Sequence, residues 1–145
     1  MSDGAGEAVM YAPSYGQITP GFTPQHPVVQ DLCNGFWQLF CPLSYLAPDG
    51  RAWTVPSGFL TDFGSVPDIV DWIIPAISTQ ADPAYVLHDF HYACHRDGFE
   101  AVKDRADADQ ILYDALLVCG VARWRARLIW AGVRSGGWVA WNRSK

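Results

Sequence analysis

Up to about residue 60, apolar positions come in short runs between turn signals; beyond it they recur at helical spacing. Residues 36–47 (FWQLFCPLSYLA) predict a strand interrupted at Pro42. Pro48-Asp49-Gly50 is a turn, and Arg51-Ala-Trp-Thr-Val55 is the return strand. A second turn at Pro56-Ser57-Gly58 leads into Phe59-Leu60. A small antiparallel sheet of two to four strands is expected. Helix signals follow. Ser65-Val66-Pro67-Asp68 fits a capping box opening a helix through Ile74. Asp82-Pro83 fits an N-cap with Pro at the first helical position, and that helix should end by Gly98. Lys103 or Asp104 opens a third helix, running to Cys119 and stopped by Gly120. A fourth runs from about Val121 to Arg134 and ends at Gly136-Gly137. The expected class is α+β: a small N-terminal antiparallel sheet followed by a bundle of about four helices. Residues 1–31, rich in Gly, Pro, Ser and Thr, are expected as an extended arm, and residues 32–145 as a single globular domain.

Composition agrees with one folded domain. Half of the 145 residues are hydrophobic and 14% are aromatic, which excludes a disordered chain. Cys33, Cys41, Cys94 and Cys119 form no CxxC pair, which argues against a zinc ribbon and for free thiols in a reducing compartment. The N-terminus has neither a basic start nor an apolar run, so no signal peptide is expected, and no apolar run is long enough to span a membrane. The net charge of −5 is unevenly spread: residues 121–145 hold six of the ten basic residues and no acidic one, leaving 4 − 15 = −11 for residues 1–120. The basic, Trp-rich tail either complements the acidic body or meets an anionic partner. Its Trp124, Trp130, Trp138 and Trp141 fit packing better than base stacking, and an acidic body repels phosphates, so no strong nucleic-acid signal results.

Candidate chemistry centres on residues 85–95 (YVLHDFHYACH). On a helix, His88, His91, Tyr92 and His95 fall in one stripe with Asp89 at its edge. The three histidines have zinc-like spacing, with Asp109, His26 or Cys94 as a further ligand. Against this, three successive turns seldom converge on one ion, and His91 and His95 read as surface bystanders. His88 with Asp89 and Tyr92 is the stronger group. A helical hairpin would bring Asp109 against His88, making either a carboxylate-oriented general base toward water or a buried His–Asp–Arg network bracing the hairpin. Asp89 is the candidate ligand of a divalent cation, calcium before zinc, with loop carbonyls completing the set. Arg105, Asp109, Leu112 and Leu116 share a face of the third helix. The loop from Gly58 to Pro67 offers Asp62 and Ser65 as a further wall; alternatively Ser65 caps a helix and Asp62 pairs locally. No GxSxG-type elbow surrounds Ser65, which argues against a nucleophile there.

These motifs in this order, Thr61-Asp62-Phe63-Gly64-Ser65-Val66-Pro67, His88-Asp89-x-x-Tyr92, Arg105-x-x-Ala108-Asp109, then Val133-Arg134 with Gly136-Gly137 and a closing Trp, resemble a domain-of-unknown-function family of tailed bacteriophages and prophages. The resemblance covers roughly residues 33–141. It implies a phage gene and a structural or accessory component of the virion, associated with tail or neck and located in the particle or the host cytoplasm. The arm would then lie on other phage structural proteins. A local likeness joins the His-Asp helix to secretory and parvoviral phospholipases. That likeness implies His88 as water-activating base, Asp109 as orienting carboxylate, Tyr92 as supporting donor and Asp89 as calcium ligand. The chain departs from it in lacking the glycine-rich calcium loop, with only Asp62-Phe63-Gly64 in a comparable place, and in lacking the disulfide framework. The alternative function is therefore a small metal-assisted hydrolase of lipid or cell wall, acting during entry or lysis.

Overall fold

The computed structural model describes residues 19–62 and 78–143. Within them the chain is α+β, with six short strands followed by three helices. The strands are β1 (Gly21–Thr23), β2 (Val29–Asp31), β3 (Trp37–Leu39), β4 (Leu43–Leu46), β5 (Ala52–Val55) and β6 (Leu60–Thr61). They form two antiparallel three-stranded sheets, ordered β1-β4-β5 and β2-β3-β6. The expected strand at 36–47 is divided at Cys41-Pro42, and its halves enter different sheets. Residues 19–31, read from sequence as the end of the arm, supply β1 and β2. Phe22 lies opposite Tyr45 and stacks on its ring at 4.5 Å, while Val29 lies opposite Leu39. Single apolar residues between turn signals are a weak strand pattern, and pairing partners decide the outcome.

The β4–β5 hairpin follows the expected turn. Gly50 takes φ +87°, and the Asp49 carboxylate accepts from the Arg51 amide. Leu43, Tyr45 and Val55 point inward, and Ser44 bonds Thr54 across the strands at 2.9 Å on the outer face.

Helix α1 spans Ser78–Arg96, α2 Arg105–Val118 and α3 Arg123–Trp141. Three helices, rather than four, are therefore present among the described residues; the helix expected at 65–74 lies outside them. Two expected boundaries move. Helix α1 starts before Asp82-Pro83, so Pro83 sits inside it. The lost backbone hydrogen bond is offset by burial: Ala81 and every residue from Pro83 to Leu87 are buried. Helix α3 continues through Gly136-Gly137 to Trp141, because its last turns pack on α1. The middle helix keeps its expected start: Asp104 is the N-cap, accepting from the Asp107 amide, and Gly120 at φ +84° follows its end.

Helix α2 lies between α1 and α3, and the sheets meet α1 through β5 and β6. Leu39, Leu43, Tyr45 and Val55 from the sheets join Val86, Leu87, Ile111, Leu112, Leu116 and Ile129 in one core. The hairpin is tied to the helices twice: Arg51 forks onto Asp107 at 2.9 Å, and the Trp53 indole N–H donates to the Ala101 carbonyl at 2.8 Å. No helix among the described residues is long and apolar enough to cross a membrane.

Candidate functional site

Asp109 is the centre of the polar cluster. Its side chain is fully buried on α2 and shared among all three helices. Oδ1 accepts from His88 Nε2 and from the Tyr92 hydroxyl, each at 2.8 Å, both from α1. Oδ2 accepts from Arg134 Nη1 of α3 at 2.9 Å and lies 3.6 Å from Arg105 Nη1, one turn earlier on α2. The same Arg105 nitrogen donates to the carbonyls of Val133 and Arg134. Spacing explains the set: His88 and Tyr92 are i, i+4 on one helix, as are Arg105 and Asp109 on the next.

Burial on its own raises the Asp109 carboxyl pKa. The hydrogen bonds from His88, Tyr92 and Arg134 outweigh that and hold it below the usual carboxylate range. Asp109 is thus an ionised, acceptor-only group. His88 must donate to it from Nε2, so a neutral His88 carries its lone pair on Nδ1. Among the described residues no side chain or backbone group bonds Nδ1. The His88 side chain is 11% exposed, whereas the Asp109 side chain is wholly buried. Burial, reinforced by Asp109, raises the Tyr92 phenol pKa, so Tyr92 remains a donor.

The remaining candidates divide. Asp89 accepts from Thr61 Oγ1 of β6 at 2.6 Å, which sets it on the sheet side of α1. Asp62 follows Thr61 and is exposed; Ser65 lies outside the described residues. His91 is not a surface bystander. It is completely buried, edge-on to Trp53 at 5.2 Å, and neither ring nitrogen has a hydrogen-bond partner. It meets Trp53 of β5 because, three residues on, it lies about 60° around the helix from His88. His95 is exposed and stacks on Trp141 at 3.9 Å. Cys94 is a partly buried free thiol, and His26 lies exposed between β1 and β2. The histidines thus diverge, and among the described residues no three His, Cys, Asp or Glu side chains group as a metal ion requires. The loop whose carbonyls would complete a calcium site at Asp89 runs from Gly58 into residues 63–67, which lie outside the described residues.

Two contributors were not chosen from the sequence as site residues. Arg134 completes the salt bridge to Asp109, and Gly137 makes room for Tyr92: a β-carbon there would lie 2.6 Å from the Tyr92 hydroxyl. The available signal was distance from the turn at Gly120. Asp109 and Arg134 lie at similar distances on either side, so an antiparallel hairpin brings them level.

Residues 37–133 match a protein family described as Protein of unknown function (DUF1353). No curated protein and no solved structure matches the chain.

Proposed function

The chain belongs to the family of unknown function DUF1353, and we propose that it is a small hydrolase with His88 as general base. The observation that carries this is the division of labour on one imidazole. Nε2 is committed to a buried carboxylate, while Nδ1 meets no hydrogen-bonding group among the described residues, on a side chain that is 11% exposed. A water at Nδ1 would give up its proton to His88 as it attacks an ester carbonyl; the tetrahedral adduct would then collapse with cleavage of the acyl C–O bond, the imidazolium, stabilised by Asp109, returning the proton to the leaving alcohol. Hydrogen bonds from His88, Tyr92 and Arg134 keep Asp109 ionised, and Tyr92 also fixes its orientation. His88 is the catalytic residue; Asp109, Tyr92 and Arg134 are positioning residues. The substrate class this supports is an ester of lipid or cell envelope.

The test is turnover of p-nitrophenyl esters, phosphatidylglycerol vesicles and peptidoglycan by the parent chain and by His88→Gln. Gln retains an N–H for Asp109 but removes the base. A folded, inactive His88→Gln supports the reading. A His88→Gln that matches the parent, or a parent that turns over none of the three, overturns it.

A second reading, a structural component of a phage particle, draws on the β2-β3-β6 sheet. Val28, Phe36, Phe40 and Leu60 are 46%, 46%, 70% and 51% exposed. Strand alternation and register put them on one outer face. An apolar sheet face of this kind suits a protein neighbour. Mass spectrometry of purified particles tests it: stoichiometric presence supports the reading, and absence ends it.

A further inference from the structure

We infer that the outer face of α3 is a docking surface for an anionic phospholipid bilayer. Trp124, Leu128, Ala131, Ser135 and Trp138 are spaced four, three, four and three residues apart, so they form one stripe along the helix, with Val139 at its edge. All six are exposed, and Trp124 and Trp138 are each 57% exposed. The opposite face carries the buried Ala126 and Ile129. The stripe is therefore additional to the face that packs on α2, and core packing does not account for it.

Charge identifies the occupant. Helical spacing puts Arg123 and Arg127 on one flank of the stripe and Arg125 on the other. None of the three has an ion-pair partner among the described residues, and the Arg125 guanidinium lies over the Trp124 ring at 5.0 Å. Residues 121–145 contain no acidic residue, whereas residues 1–120 carry a net −11. This asymmetry turns α3 toward an anionic surface and the rest of the chain away from it. A second copy would bring like-charged arginines together. DNA would use the arginines but leave Leu128 and Val139 exposed. A bilayer uses both: tryptophans settle at headgroup depth, Leu128 and Val139 enter the acyl boundary, and the flanking arginines reach phosphates. Binding is read without turnover, so it stands apart from the role of His88.

Flotation with vesicles of phosphatidylglycerol and phosphatidylcholine in equal parts, against phosphatidylcholine alone, tests this on the full chain. The mixed vesicles should carry the protein, blue-shift its tryptophan emission and release it as salt rises. Trp124→Ser with Trp138→Ser should weaken vesicle binding by at least about tenfold while the circular dichroism spectrum is unchanged. Arg123→Gln with Arg127→Gln should reduce the salt dependence, keeping the parent's spectrum. Four outcomes would overturn the inference: no flotation of the parent, equal binding to both vesicle types, a doubly Trp-substituted chain that binds like the parent, or a dimer or DNA complex that forms through these residues in place of vesicle binding.

Discussion

Tyr92 and Gly137 meet so closely that no side chain fits between them: a β-carbon on Gly137 would lie 2.6 Å from the Tyr92 hydroxyl, which itself donates to Asp109. In an ordinary helix interior, Gly→Ala is stabilising by about 1 kcal/mol. At this position the added methyl must push Tyr92 off a buried carboxylate, which costs about 1–3 kcal/mol. The clash outweighs propensity, so Gly137→Ala is expected to lower the melting temperature. A raised melting temperature would show that Tyr92 can move without loss.

Asp109→Asn tests the hub and its pH dependence together. The folded-state pKa of Asp109 is depressed, so its contribution is present above the unfolded carboxylate value and is lost as pH falls through the folded one. At pH 7 the substitution should cost about 3 kcal/mol, because Arg105 and Arg134 lose their counter-charge. The difference from the parent should shrink as pH drops below the ordinary carboxylate range. Urea unfolding across pH 7 to 3 measures it; a constant difference would mean that the charge is not what stabilises the cluster.

His91 is a buried group that the proposed chemistry does not use. Burial first, then the neighbouring His88, lowers its pKa to about 3. The unfolded chain takes up a proton near pH 6.5 and the fold does not until about 3, so stability is whole above 6.5 and falls between these values. His91→Leu removes two buried, unpaired nitrogens and should add about 1 kcal/mol at pH 7.5. The gain should grow by about 2 kcal/mol at pH 5. Chemical denaturation at the two pH values checks this, and a gain that fails to grow toward acid would count against a neutral buried imidazole.

Asp82 has the opposite sign. Burial raises its carboxyl pKa to about 6, and the charge of His26 only partly opposes that. The folded state holds the proton longer than the unfolded one, so stability falls as pH rises from the ordinary carboxylate range to about 6 and stays low above it. Asp82→Asn should therefore raise the melting temperature at pH 7 and leave it nearly unchanged at pH 4. Equal shifts at both would show that Asp82 is solvated in the fold.

Local signals were legible where they act over a few residues. The Pro48-Asp49-Gly50 turn, the break at Pro42, the Asp104 cap and the stop at Gly120 all appear at their expected places. The His88–Asp109 meeting was also legible, because two helical faces bearing complementary groups imply a hairpin. The starts and ends that moved are those that tertiary packing overrides. Pro83 is carried inside α1 by burial on all sides, and Gly137 is carried inside α3 by the ring of Tyr92.

By itself, the sequence determined the class, the β4–β5 hairpin, the order of the three described helices and the face on which each candidate side chain stands, because periodicity and turn chemistry are local. Only the tertiary structure decided that Asp109 answers to three helices, that His91 turns inward to Trp53, and that Arg134 closes the cluster. Periodicity puts a residue on a face but does not say which distant element covers that face. Helix packing makes that choice, through contacts between residues 17 to 38 positions apart in the chain.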